Sequence, residues 1–141
     1  MSRLMILDED SNLRRFLRIF LESLGHEVGL EGGSGHVGLA SLAREPDGFD
    51  VVIADLRLPI ADGLDVLAGA RALAGGAVPV PVVLASRCWT EDEVTLARGL
   101  GAAATLAKPF DLDGLARTLA RATAATCPRR PVLARPAREE A

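Results

Sequence analysis

Five polar residues in the sequence follow short apolar segments, and their types suit chemistry on a phosphoryl group. Asp8 and Glu9 come after one apolar segment, Asp55 after a second, Ser86 after a third and Lys108 after a fourth. Three carboxylates brought together repel one another, and a hard divalent cation such as Mg²⁺ offsets that repulsion through oxygen ligands. Such a metal, the three carboxylates and the lysine together carry no net charge, which suits a site for phosphoryl transfer.

Individual roles follow from the residue types. Asp55 is the expected nucleophile, since a carboxylate can form an aspartyl phosphate. Ser86 and Lys108 can donate hydrogen bonds to phosphoryl oxygens. Each residue alone also has an ordinary structural explanation, because acids before a helix favour its positive end and a serine at a strand end commonly bonds local backbone. Their occurrence together favours the functional interpretation.

Alternating strands and helices are predicted to position these residues. The short, continuous apolar segments are typical of strands covered on both faces. The predicted strands are residues 4–7, 27–30, 51–54, 80–85 and 103–107. The predicted helices are residues 13–24, 34–44, 64–73, 91–99 and 111–124. Ser11 is the predicted N-cap of the first helix, and Thr90 and Glu93 form a predicted capping box for the fourth.

This order of elements predicts an α/β fold. Right-handed crossovers between the strands give a five-stranded parallel sheet with helices on both faces. In such sheets, ligands bind beyond the carboxyl ends of the strands, near the point where the strand order reverses. All five polar residues are expected at that edge.

The composition is that of one domain. The chain has 141 residues, 49% of them hydrophobic, which is enough for a single core assigned to residues 1–125. Residues 126–141 contain three prolines and four arginines without an apolar period, which predicts a flexible Pro/Arg-rich tail. Cys88 and Cys127 lie far apart with no CxxC spacing, so no disulfide framework or zinc site is expected.

Charge and hydropathy exclude several classes of partner. A net charge of −3 and an aromatic content of 4% argue against direct nucleic-acid binding. The first apolar run has only four residues, too few for a signal-peptide core or a membrane span. We therefore expect a cytoplasmic protein without membrane contact.

Several stretches resemble the response regulator receiver domains of two-component signalling, a chemotaxis-regulator-like family. Residues 7–10 (LDED) resemble the acidic pair of that family, and residues 50–63 (DVVIADLRLPIADG) resemble its phosphoacceptor strand and following loop. Ser86, Gly101 and Lys108 have the spacing of its hydroxyl, its Gly-Ala step and its Lys-Pro pair. The resemblance extends over nearly all of the predicted folded part.

The resemblance implies a flavodoxin-like strand order, 2-1-3-4-5, and a role as a phosphoacceptor rather than as an enzyme. Asp55 would accept phosphate from a sensor histidine kinase or a histidine phosphotransfer protein. Mg²⁺ would be held by Asp8, Glu9, Asp55 and the backbone carbonyl of Arg57. A downstream effector protein, or an output domain outside this chain, would receive the signal.

The resemblance also assigns the phosphate contacts. Ser86 and Lys108 would contact the phosphoryl oxygens, and the peptide bond between Lys108 and Pro109 would be cis.

The sequence departs from the family at two positions near this site. Thr105 stands where the family usually has an aromatic residue, which moves inward as the hydroxyl approaches the phosphate. Arg87 replaces a small residue beside that hydroxyl and is expected to contact the phosphate. Because Thr105 cannot copy the aromatic movement, we predict that the loop from Ser86 to Trp89 carries the signal to the fourth helix.

Two other functions remain open from the sequence. A phosphatase of the haloacid dehalogenase type would use Asp8 as nucleophile and Asp10 as acid and base, but it also needs a late acidic pair that is not evident here. A receiver-like module that binds proteins without phosphate is the other alternative, and Thr105 and Arg87 favour it.

Overall fold

The computed structural model describes residues 2–126, which form alternating strands and helices. The strands are β1 (Arg3–Leu7), β2 (Glu27–Gly32), β3 (Val51–Asp55), β4 (Val82–Ser86) and β5 (Ala104–Ala107). The helices are α1 (Ser11–Ser23), α2 (Gly35–Arg44), α3 (Gly63–Ala74), α4 (Glu91–Gly99) and α5 (Leu112–Thr126). Neighbouring strands pair in parallel in the order β2-β1-β3-β4-β5. The predicted α/β fold and strand order are confirmed.

Helices cover both faces of the sheet because successive side chains of a strand point to opposite sides. Met5 of β1 packs in one buried cluster with Val66 of α3. Ile6, the next residue along, packs in the other cluster with Leu17 of α1 and Leu119 of α5. Burial on both faces explains why the strands are apolar at nearly every position. It also leaves the carboxyl edge as the place where polar side chains can gather.

The N-terminus of α1 differs from the prediction. Asp10, not Ser11, is the N-cap, and its Oδ1 accepts hydrogen bonds from the backbone N–H groups of Asn12 and Leu13. Ser11 is the first residue of the helix. Both residue types cap helices well, but Asp10 has the extended backbone that a cap position requires, with φ −81° and ψ 105°.

The predicted signals around α4 are confirmed. Thr90 Oγ1 accepts from the Glu93 N–H, and Glu93 Oε1 accepts from the Thr90 N–H, each at 3.1 Å. Gly101 follows the helix with φ 92°, a left-handed conformation that glycine adopts without strain.

Several element boundaries lie one or two residues from their predicted places. β4 begins at Val82 rather than at residue 80, since Pro81 has no N–H for the strand pairing and contributes only its carbonyl, which accepts from Val52. α5 continues to Thr126, one residue into the predicted tail, and the remainder of that tail lies outside the described residues. No helix in the described part is long and apolar enough to cross a membrane.

Candidate functional site

A pocket of about 250 Å³ opens at the carboxyl edge of the sheet. Its lining residues are Asp8, Glu9, Asp10, Asp55, Arg87 and Lys108. The acids of residues 8–10 come from the β1–α1 loop, while Asp55 ends β3 and Lys108 follows β5. The parallel sheet therefore brings together acids and a lysine that are far apart in the sequence.

Lys108 lies between two of the carboxylates. Its Nζ is 2.5 Å from Asp8 Oδ2 and 3.4 Å from Asp55 Oδ2. The side chains of Lys108, Asp8 and Asp55 are only 8%, 6% and 14% exposed, so their charges interact more strongly than they would in water. The lysine offsets the repulsion between the two carboxylates. The Lys108–Pro109 peptide bond is cis.

Asp8 uses all of its polar atoms in hydrogen bonds. Its N–H donates to the Gly32 carbonyl of β2 at 3.0 Å, and its Oδ1 accepts from the Asp10 N–H at 2.9 Å. Its own carbonyl accepts from Nη1 of Arg14 at 2.6 Å, and its Oδ2 accepts from Lys108. This carboxylate is therefore fixed in place by surrounding groups before any ligand binds.

Ser86, in contrast, directs its hydroxyl to local backbone. Its Oγ accepts from the Cys88 N–H at 3.1 Å and donates to the Cys88 carbonyl at 3.0 Å. The side chain is 1% exposed and is not among the residues that line the acidic pocket. To reach a phosphoryl group at Asp55, the hydroxyl would have to leave this turn.

Arg57 connects the loop after Asp55 with the start of α4. Its backbone N–H donates to Asp55 Oδ1 at 3.4 Å, and its Nη1 lies 2.8 Å from Glu93 Oε2. The pKa of Glu93 is lowered, mainly by the hydrogen bond from the Thr90 backbone and further by Arg57, against the opposing effect of burial. The capping box located Glu93 in the sequence, but nothing in the pattern indicated its pairing with Arg57.

Trp89 belongs to the β4–α4 loop and contacts β5, the strand that contains Thr105. The Trp89 Nε1–H donates to the Leu106 carbonyl at 2.8 Å, and its ring packs against the cluster that contains Val66. Thr105 is partly buried and pairs with Leu84 in the strand register. The residues of the described part that line the acidic pocket include neither Trp89 nor Thr105.

A second, more apolar groove of about 520 Å³ adjoins the acidic pocket. Asp10, Arg87 and Lys108 line both cavities. The groove is further lined by Leu13, Phe16, Pro109, Phe110 and Leu112, from α1 and the segment after β5. The mouth of the acidic pocket therefore has an apolar border on the α1 side.

The acidic pocket suits a hard divalent cation by residue type. Asp8, Glu9 and Asp55 offer carboxylate oxygens around one cavity, and Mg²⁺ commonly binds one or two carboxylates while keeping several waters. Among residues 2–126, no group of three or more Asp, Glu, His or Cys side chains lies close enough together to hold a metal ion, so the carboxylates would have to move toward one another to bind one. Because Lys108 already contacts two of the carboxylates, a bound cation would compete with it for their oxygens.

The sequence of this chain matches a known protein family. The family model described as "Response regulator receiver domain" matches residues 4–120. The chain is 36% identical over 119 residues to the sensory/regulatory protein RpfC of Xanthomonas campestris pv. campestris, covering 84% of this chain and 16% of that protein. It is 35% identical over 113 residues to the transcriptional regulatory protein KdpE of Mycobacterium tuberculosis, covering 80% of this chain and 47% of that protein. The chain thus spans less than half of either relative.

Solved structures agree with this result. A response regulator receiver domain protein from Clostridium thermocellum has a TM-score of 0.81 at 25% identity, over 89% of this chain and 97% of that one. A CheY-like receiver domain protein from Methanospirillum hungatei has a TM-score of 0.81 at 22% identity, over 92% of this chain and 99% of that one, and supports the fold alone. Since the family model covers most of the sequence and relatives exceed 30% identity, the chain belongs to the response regulator receiver domain family.

Proposed function

We propose that this chain is a phosphoacceptor that takes a phosphoryl group on Asp55 and acts as a signalling switch or phosphorelay. The observation that carries the proposal is the position of Lys108 between the two acids. Its Nζ lies 2.5 Å from Asp8 Oδ2 and 3.4 Å from Asp55 Oδ2, and all three side chains are nearly buried. Asp55 has the weaker lysine contact and the more exposed side chain of the two acids. It is therefore the carboxylate better able to approach an incoming phosphorus atom.

The residues of the pocket have different proposed roles in phosphoryl transfer. An Asp55 oxygen attacks phosphorus, and the bond from phosphorus to the donor breaks. Lys108 and the exposed Arg87 can then pair with the phosphoryl oxygens. Mg²⁺, when bound by Asp8, Glu9, Asp55 and the Arg57 carbonyl, supplies positive charge to the transferring group. The chain is thus the acceptor in the reaction and not a general catalyst.

The apolar groove beside the pocket supports a protein as phosphodonor. Phe16, in the groove, and Ile19, three residues further along α1, are 51% and 63% exposed, so α1 presents large apolar side chains beside the pocket. A donor that places a phosphohistidine at Asp55 from the α1 side would contact this border. We infer that a helix of a sensor histidine kinase or of a histidine phosphotransfer protein contacts this surface. An effector protein or an output domain then receives the signal.

The first test is chemical labelling. Acetyl phosphate with Mg²⁺ should add one base-labile phosphoryl group, which intact mass and peptide mapping would assign to Asp55. Asp55→Asn should abolish labelling. Asp10→Asn is a matched control, because Asp10 lines the same pocket and asparagine preserves helix capping. Labelling of Asp8 in the wild-type protein would support the phosphatase alternative instead.

Two observations bear on the alternatives. The Asp10 carboxylate is occupied as the N-cap of α1, which argues against a role as acid and base in a phosphatase. The local turn that holds the Ser86 hydroxyl is compatible with a binding module that needs no phosphate. Failure of acetyl phosphate, beryllofluoride and a phosphohistidine donor to modify or bind the chain would favour that module.

A further inference from the structure

The β1–α1 loop, which contains Asp8 and Glu9, is held by a side chain from the first turns of α1. Arg14 donates through Nη1 to the Asp8 carbonyl at 2.6 Å. Its backbone N–H donates to the Asp10 carbonyl at 3.0 Å. Arg14 therefore bonds both ends of the short segment from which the acids of the pocket project.

Arg14 is itself anchored to the sheet. Its Nε donates to Oε1 of Glu31 on β2 at 3.3 Å, and both side chains are only about one-fifth exposed, 19% and 20%. The other oxygen of Glu31 pairs with Arg18, one helical turn further along α1. Among the described residues, the Arg18 guanidinium pairs with Glu31 and has no hydrogen bond or ion pair with the β1–α1 loop.

We propose that Arg14 is a positioning residue for cation binding, acting through the Asp8 carbonyl; this inference rests on the proposed function. A guanidinium has donors fixed in one plane, so anchoring Nε on Glu31 also fixes the direction of Nη1. The bond to the carbonyl then sets the course of the backbone through Asp8 and Glu9. Their carboxylates are held in place for a cation even when it displaces Lys108 from Asp8.

Charge and geometry predict opposite effects for the loss of Arg14. As a positive charge near an acidic pocket, Arg14 should repel a cation, so its removal should tighten Mg²⁺ binding. As a support for the ligand-bearing loop, its removal should weaken binding, because residues that orient metal ligands commonly contribute substantially to affinity. The sign of the change distinguishes the two roles.

The experiment is a calorimetric titration of the full chain with MgCl₂, under conditions where circular dichroism shows each variant folded. Arg14→Met should weaken Mg²⁺ binding by about 10-fold. Arg18→Met is the matched control, because it removes the same charge from the same Glu31 without touching the loop, and its affinity should stay within about 2-fold. Arg14→Lys, which keeps the charge but not the planar donor set, should also bind more weakly than wild type.

A kinetic measurement separates positioning of the metal site from a general loss of structure. In Arg14→Met, the Mg²⁺ concentration that gives half-maximal labelling by acetyl phosphate should rise, while the rate at saturating Mg²⁺ should return close to the wild-type rate. If Arg14→Met fails to fold, Arg14→Lys and Glu31→Gln provide the same comparison.

The outcomes separate this inference from the proposed function. Unchanged or tighter Mg²⁺ binding in Arg14→Met, with wild-type binding intact, would overturn the positioning role and leave Asp55 as phosphoacceptor. An equal loss in Arg18→Met would also overturn it, since the effect would then come from charge or helix packing. A wild-type chain that binds no Mg²⁺ would instead contradict the proposed metal site itself.

Discussion

Trp89 is joined to Leu106 by a hydrogen bond of 2.8 Å from its indole Nε1–H to the backbone carbonyl. This bond ties the β4–α4 loop to β5 one residue after Thr105. The same loop follows Ser86, the last residue of β4, whose hydroxyl is bonded to the Cys88 backbone. We predict that a movement of Ser86 toward phosphate reaches Trp89 through the loop backbone, without requiring the Thr105 side chain.

We accordingly expect beryllofluoride with Mg²⁺ to change the fluorescence of Trp89, the only tryptophan in the chain. Ser86→Ala should abolish the change, because it removes the hydroxyl that we propose contacts the phosphate analogue. Thr105→Ala should leave most of the change intact. A response lost as completely in Thr105→Ala as in Ser86→Ala would show that Thr105 is the relay.

Lys108→Met should destabilise the metal-free protein. It leaves two nearly buried carboxylates without their shared cation, at an expected cost of about 2 kcal/mol in the free energy of unfolding. It also removes the competitor for their oxygens, so Mg²⁺ should stabilise the variant more than it stabilises wild type. Urea unfolding with and without MgCl₂ measures both effects, and an equal Mg²⁺ effect in the two proteins would contradict the competition.

Asp8 and Asp55 should differ when each is replaced by asparagine in the absence of metal. Both carboxylate oxygens of Asp8 accept hydrogen bonds, and an amide nitrogen cannot, so Asp8→Asn should lower stability by about 1 to 2 kcal/mol. The lysine and backbone contacts of Asp55 are both 3.4 Å, so Asp55→Asn should change stability by less than about 0.5 kcal/mol. Thermal or urea unfolding would contradict this assignment if the order were reversed.

Glu93 should contribute to the acid sensitivity of the fold. Its pKa lies below the ordinary value of 4.5, so its ionised form is favoured in the folded state. The stabilisation is present above the pKa of the unfolded chain and is lost as the pH falls through the lower folded value. Unfolding measured from neutral pH to below pH 4.5 should therefore show a smaller acid-induced loss in Glu93→Gln than in wild type.

Arg57→Gln provides the control for that measurement. It should keep most of the acid-induced loss, because the Thr90 backbone hydrogen bond has the largest effect on the pKa of Glu93. An identical pH profile for wild type and Glu93→Gln would rule out this contribution of Glu93.

The fold could be predicted from the sequence because the signals for its strands and helices are local and periodic. The continuous apolar strands, the capping box at Thr90 and the glycine after α4 each depend on residues close together in the chain. The N-cap of α1 was misassigned between Asp10 and Ser11, since both residue types suit that position and only the backbone conformation separates them.

The acidic pocket could be predicted because the carboxyl ends of parallel strands must share one edge. The contacts around it could not. The bonds from Arg14 to Asp8, from Arg57 to Glu93 and from Trp89 to Leu106 depend on side-chain directions and on distances between separate elements. Arg14 and Glu31 in particular stand in ordinary helix and strand positions, where charged residues are usually solvated.

The turn at Ser86 also affects how much of the unphosphorylated domain should adopt the switched conformation. Leaving the turn breaks two hydrogen bonds to Cys88, each with a net value of about 1 kcal/mol. A difference of about 2 kcal/mol corresponds to a switched conformer populated at a few per cent before phosphate arrives. The background output of the domain would then be determined by the two bonds between the Ser86 hydroxyl and the Cys88 backbone rather than by the phosphate site itself.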